Sequence, residues 1–355
     1  MKNACEEKDK DSGECSERFS DQGGLFDFSV RRMLQTGHEG ELCNFLKETS
    51  LIRTVSNCPH FDCKGRSLMW SPARIVDKYI WSCPDCMRKQ SIRDKSFFLG
   101  IKCDLKMCLQ LILGWCQRVP SEIIASYLGI KKHVVRKTYE RCDEVSAIYI
   151  RKHPEDWLLG GEDAVLVVDE FPGGYMTERQ PDVNSAKKRN NNSHTIICIV
   201  EANSIPPRVW LHMIQAIQEP QKIDKLHTGA AHDKSNMVKE AVMEIARHAM
   251  KGSFIVANER VSCCSYETLL RLKQYKIISV EQLQKFDPPG KNKLFDNLET
   301  IWQSAVEVCE EVQEATHTSG QHIIGRHLWR QKYGTSPSTA YQSILNHIAE
   351  CYRFS

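Results

Sequence analysis

The sequence predicts an α/β protein in which a cysteine ribbon and a helix-turn-helix precede a domain built on a mixed sheet. Three observations carry this. Four of the sixteen cysteines form two close pairs, Cys58 with Cys63 and Cys83 with Cys86. Asp104 to Arg151 shows helical periodicity, interrupted at Val119-Pro120 and Leu128-Gly129. From Gly160 onward, short Val- and Ile-rich runs bounded by polar or turn residues take over. A length of 355 residues accommodates two or three such domains.

Composition sets the class. Hydrophobic residues make up 41% and charged residues 26%, so a sizeable core is expected rather than a disordered chain. The longest apolar stretch, Cys103 to Cys116, is broken by Asp104, Lys106 and Gln110 and falls short of the ~20 apolar residues that span a bilayer. No membrane partner is expected. The start, MKNACEEKDKDSGECSE, lacks the apolar core of a signal peptide. An intracellular, reducing location follows, nuclear in a eukaryote and cytoplasmic otherwise, where cysteines serve as metal ligands or core thiols.

The net charge of +3 conceals an uneven distribution: residues 1–57 sum to −3, residues 58–155 to +8 and residues 156–355 to −2. A basic middle section is the footprint of a module that meets phosphates.

Residues 1–24 are polar and read as a disordered leader. Residues 25–57 carry two short amphipathic patterns, Phe28–Gln35 and Gly40–Lys47, that read as helices. Residues 58–100 read as a zinc ribbon. Zn²⁺ takes four soft ligands in a tetrahedron, and two knuckles, Cys58-x4-Cys63 and Cys83-x2-Cys86, supply them. In WSCPDC the proline presets φ and the short loop aims both sulfurs at one point. NCPHFDC is wider than usual, which leaves His60 as an alternative ligand.

Residues 101–155 read as a helix-turn-helix. Ser121–Leu128 forms a short helix that ends at Gly129, and a second helix opens at Lys131. On that second helix Val134, Val135, Thr138, Cys142 and Val145 share one side. Lys131, Lys132, His133, Arg136, Lys137 and Arg141 are the candidate DNA contacts, a basic outer face suited to phosphates and base edges.

Residues 160–335 read as the mixed-sheet domain. Strands are expected at Val165–Val168, Thr195–Val200, Val209–Ile214, Phe254–Val256 and Ile277–Val280, with helices at Asn236–Met250, Tyr266–Gln274 and Phe295–Glu314. Three consecutive strands followed by alternating helix and strand give a layered α/β arrangement. Residues 336–355 form a C-terminal helix, Pro337–Tyr352. The first strand runs into Asp169-Glu170, the fourth into Asn258-Glu259, and the late helix carries Glu299. Carboxylates delivered by strand ends and a helix can hold two Mg²⁺ about 3.5–4 Å apart for in-line phosphoryl transfer.

In this order the motifs resemble the Merlin superfamily of DDE transposases and their bacterial insertion-sequence relatives. The matching residues are W-x-C-x-x-C at Trp81–Cys86, QSIRDKSFF at Gln90–Phe98, and the helix-turn-helix. After these come VVDE at Val167–Glu170, N-x-E-x-x-W at Asn297, Glu299 and Trp302, and HLWRQKYG at His327–Gly334. The resemblance implies a ribonuclease-H-like domain that cuts and joins DNA ends with Mg²⁺ or Mn²⁺. The reaction brings two DNA ends together, which implies a homo-oligomer; no small-molecule substrate is implied. Carried over by position, Asp169 is the first catalytic acid, Asn258 stands at the second, and Glu299 is the third. Asn258 removes one negative charge from a site for two dications, and Mg²⁺ favours carboxylates. The adjacent Glu259 points to the opposite face if the strand continues.

Other segments depart from the family as well. Phe171-Pro172-Gly173-Gly174 and a Met176–Asn192 loop replace the family's short basic, glycine-rich stretch, and Ser262-Cys263-Cys264-Ser265 replaces an aromatic-rich one. The resulting expectation is a domesticated or degenerate derivative that binds DNA with weakened or lost catalysis. The alternatives are an active Mg-dependent transposase and a protein-interaction scaffold that keeps the fold. Trp302 and Trp329 are expected in the core. His227, His232 and His248 read as surface or satisfied histidines, Lys187-Lys188-Arg189 as a solvated loop, and Cys263-Cys264 as thiols without a redox role.

Overall fold

A computed structural model describes residues 19–54, 57–63, 67–174, 194–202, 208–215, 229–286 and 293–352. They fall into two compact units. One comprises the residues up to Tyr149 together with those from Trp329 onward; the other runs from Ile150 to Leu328.

The first unit corrects the leader. Disorder was expected through Gly24, yet structure starts at Phe19, whose ring stacks on Tyr127 at 4.6 Å. Asp21 is fully buried and accepts from the backbone N–H groups of Gly24 (2.9 Å), Phe26 (2.8 Å) and Asp27 (3.1 Å). It satisfies the donors at the start of a π-helical turn, Phe26–Val30, which runs into Arg31–Met33. Helix α1 follows at Glu39–Glu48. Three short antiparallel strands form the ribbon: β1 (Met69–Pro72), β2 (Tyr79–Ser82) and β3 (Lys89–Ser91). Trp70 pairs with Trp81 across β1 and β2, and the Lys47 ammonium lies 3.6 Å from the Trp70 ring centroid.

Helix α2 (Leu105–Cys116) is the buried spine of this unit. The Asp104 carboxylate caps it, accepting from Met107 N at 2.7 Å, and its residues from Cys108 to Cys116 are buried except Gln110. Helix α3 (Ser121–Leu128) ends at Gly129 with φ 63°, a left-handed position that glycine adopts without a Cβ clash, and α4 follows at Lys132–Lys152. Within the same unit the Trp115 indole N–H donates to buried Asp143 at 2.7 Å, and Trp329 donates to His347 Nδ1 at 2.9 Å. Trp329 is fully buried, as the sequence led us to expect.

The second unit holds a five-stranded mixed sheet in the order β6-β5-β4-β7-β8: β4 (Val165–Phe171), β5 (Ile196–Glu201), β6 (Arg208–Met213), β7 (Phe254–Ala257) and β8 (Lys276–Ser279). The first three strands form an antiparallel meander; β7 and β8 run parallel to β4. All six residues of β5 are buried, which is why it reads as a continuous apolar run rather than an alternation. Helices α5 (Gly229–His248), α6 (Tyr266–Leu269), α7 (Val280–Phe286) and α8 (Lys293–Gln313) follow the strand pattern, and α9 (His317–Tyr333) and α10 (Pro337–Cys351) complete the chain.

Three expectations change here. The helix expected at Tyr266–Gln274 stops at Leu269. The expected strand through Val280 ends at Ser279, because Ser279 opens α7 with a capping box: Gln282 N donates to Ser279 Oγ and Ser279 N donates to Gln282 Oε1, both at 3.1 Å. Helix α9 forms across what the sequence showed only as a motif. Trp302 is buried, as expected. No described helix is long and apolar enough to cross a membrane.

Candidate functional site

The four ribbon cysteines converge. One sulfur from each of Cys58, Cys63, Cys83 and Cys86 lies within 4.8 Å of every other. Cys58 Sγ is 3.6 Å from Cys86 Sγ, and Cys63 Sγ is 3.6 Å from Cys83 Sγ. A tetrahedral zinc thiolate with Zn–S near 2.3 Å has S···S edges of about 3.8 Å, so these separations fit one such ion. Backbone geometry sets the second knuckle. Met87 takes φ 57°, its N–H reaches Cys83 O at 3.0 Å, and Cys83 N reaches Arg88 O at 2.9 Å. N–H groups of Cys86 and then Asp85 aim at the Cys83 sulfur and hold its thiol down at about 7, which favours the thiolate a metal binds. His60 is not among the converging ligands; its ring rests on Phe61 at 5.5 Å. Both knuckle tips present apolar side chains to solvent, Phe61 at 91% and Met87 at 73% exposure.

A buried ion pair ties this ribbon to the helical part of its unit, and sequence reading did not find it. Arg93 Nε donates to Asp77 Oδ2 at 2.7 Å, and Nη2 donates to Asp77 Oδ1. The same guanidinium donates to the carbonyls of Ile101 (2.7 Å) and Cys103 (2.6 Å). The signal lay in QSIRDKSFF, a lone arginine among residues that turn out to be buried: Ile92, Phe97 and Phe98.

On α4 the basic residues divide into two groups. Lys131, Lys132, His133 and Arg136 are exposed at the helix start. Lys137 is exposed too, but its ammonium donates to Gly100 O at 3.0 Å. Arg141 is half-buried and its guanidinium donates to the Phe97 carbonyl. Val134, Val135, Thr138, Cys142 and Val145 are buried on the other side.

In the sheet unit Asp169 lies on central β4, opposite Cys198 of β5, at 1% exposure. The chain leaves β4 through Gly173 (φ 118°) and lays Gly174 over the Asp169 carboxylate so closely that a Cβ there would sit 2.1 Å from Oδ1. Asn258 follows β7 by one residue, just past the Val168–Ala257 pairing, and is 8% exposed. Its amide oxygen accepts from Arg260 N at 2.9 Å, closing a turn. Glu259 is exposed. Glu299 belongs to α8, but its side chain lies outside the described residues.

The adjacent acid Glu170 has the clearest structural role. Its Oε2 accepts from Ser262 N at 3.0 Å and Cys263 N at 2.7 Å, so a buried carboxylate holds the loop after β7. Burial pushes this carboxyl above its ordinary value, and the loop N–H groups offset that only in part. Its sequence signal was the paired acid of VVDE, whose two side chains point to opposite faces of the sheet.

The remaining expectations resolve simply. His248 is buried, stacked on Trp210 at 3.6 Å, with Nδ1 3.2 Å from Trp157 O. Burial pushes it down to about 4. Cys263 and Cys264 are buried. His227, Lys187, Lys188, Arg189 and the side chain of His232 lie outside the described residues. Among the described residues the ribbon sulfurs are the one group of three or more His, Cys, Asp or Glu ligands close enough to share a metal ion. No family model matches the chain, and no curated protein or solved structure matches it.

Proposed function

We propose that this protein is a transposase-derived DNA-binding protein, built around a structural zinc ribbon, whose DDE catalysis is weakened or lost. The observation that carries the reading is the exposed basic start of α4. Lys131, Lys132, His133 and Arg136 are exposed on the solvent side of a helix that follows a glycine turn, while its opposite side is buried. The unit that presents this face also contains the four converging cysteines. Phe61 and Met87 at the knuckle tips, with Arg88 and Lys89 directly after Met87, suit apolar contact with bases and cationic contact with phosphates.

The sheet order, an antiparallel meander with two parallel strands added beside its first strand, supports the ribonuclease-H-like reading. The surroundings of the acids support loss of catalysis. A two-metal site needs carboxylate oxygens turned toward open positions. Asp169 is closed over by Gly174, and the Asn258 oxygen is engaged with Arg260 N.

Two assays test the proposal. Duplex DNA binding is expected to weaken steeply with salt, and Lys132→Ala with Arg136→Ala should reduce the log–log salt slope by about 2. Salt-independent binding, or an unchanged slope, overturns the DNA-binding reading. With Mg²⁺ or Mn²⁺ the chain should release no strand-transfer product; joining of ends that Asp169→Ala abolishes overturns the catalytic half.

A further inference from the structure

We propose that Cys103 and Cys108 form a reversible oxidation site, a dithiol that a hydroperoxide converts into a disulfide across the start of α2. The two sulfurs are 3.5 Å apart. Asp104 is the N-cap of α2, so Cys103 and Cys108 occupy the positions flanking the cap where two apolar residues usually pack as a staple. Here both are thiols. The backbone around them is fixed from two sides, by the Asp104 carboxylate on Met107 N and by Arg93 on the Cys103 carbonyl. Forming an S–S bond of about 2.05 Å from this starting point takes an approach of about 1.5 Å.

The two thiols differ in ways that assign them roles. Cys103 is half-buried and reachable, whereas Cys108 is fully buried. The hydrogen bond from Cys108, and then the nearby Arg93 guanidinium, hold the Cys103 thiol below its ordinary range. Hydrogen bonding to Cys103, with burial, pushes Cys108 well up. Cys103 is therefore the attacking sulfur and Cys108 the resolving one.

The chemistry balances with hydrogen peroxide as the oxidant. The Cys103 thiolate attacks one peroxide oxygen; the S–O bond forms, the O–O bond breaks, and hydroxide leaves and takes up a proton to become water. The Cys108 sulfur then attacks the Cys103 sulfenic acid, the S–S bond forms, and the sulfenic oxygen leaves as a second water with the thiol proton. Two thiols are oxidised by two electrons and the peroxide is reduced to two waters.

The proposal is independent of DNA binding, and the test uses the full zinc-loaded chain. The chain is treated with hydrogen peroxide, its free thiols are alkylated, its peptides are mapped and zinc release is followed. The expected result is a Cys103–Cys108 cross-link that dithiothreitol reverses and that appears before zinc is lost. In Cys108→Ser the Cys103 sulfur should stop at a sulfenic acid that dimedone captures. If both thiols remain alkylatable after peroxide has already released zinc, the pair only packs and the proposal is overturned. The wild-type map stands even if the variant fails to fold.

Discussion

The ribbon and the sheet both gather chemically capable side chains, but they use them differently. In the ribbon three of the four cysteines remain partly exposed, and the four sulfurs converge. In the sheet Asp169, Glu170 and Asn258 are buried; Glu170 and Asn258 hold loop N–H groups, and Gly174 covers Asp169. A ligand set is marked by convergence toward a position that protein atoms leave open. Carboxylates that instead satisfy their own backbone serve the fold. By that measure the four ribbon cysteines could hold a metal ion, while Glu170 and Asn258 brace the loop that follows β7.

The largest expected effect tests the ribbon side. Structural zinc in comparable peptides is worth about 10–16 kcal/mol at neutral pH. Chelation should therefore abolish hydrogen-exchange protection in β1–β3 while β4, β5 and β7 keep theirs, and Cys83→Ser should do the same. Protection at Trp81 that survives chelation would break the comparison, since the ribbon would then be held by packing alone.

Next in size is the clamp beneath the ribbon. Asp77→Ala leaves Arg93 buried without its carboxylate, and losing one partner of a buried pair typically costs about 3–5 kcal/mol. A denaturant midpoint within error of wild type would mean that the Ile101 and Cys103 carbonyls alone hold the guanidinium.

What was legible in the sequence follows the range of the interactions. Strand positions were read to within a few residues, Val165–Val168 against the observed Val165–Phe171, because strands covered on both faces are uninterrupted apolar runs. The cysteine pairs were legible because each knuckle is local. The Arg93–Asp77 pair spans sixteen residues, and the hold of Glu170 on the loop spans more than ninety, so neither leaves a periodic trace. Arg141 lay on the outer face of the helical wheel, yet a carbonyl forty-four residues earlier claims it. Helix α7 was missed because Val280 extends an apolar run, which outweighed the short Ser279-x-x-Gln282 cap.

The smallest effect concerns Glu170 and decides what its carboxylate is for. Burial raises its folded-state pKa above the ordinary 4.5. The stability it contributes is then full below about 4.5, where the acid is protonated, and is lost as pH rises through the folded value. Glu170→Gln keeps an oxygen for the Ser262 and Cys263 N–H groups and carries no charge to desolvate. It should therefore equal or exceed wild type at pH 7, and its advantage should shrink as pH falls toward 4.5. Glu170→Ala leaves both donors unsatisfied and should lose about 2–3 kcal/mol where the acid is protonated, with a deficit that narrows as pH rises through the folded value. Urea midpoints across that range separate the variants. If Glu170→Gln falls as far as Glu170→Ala at pH 7, the loop requires the ionised carboxylate.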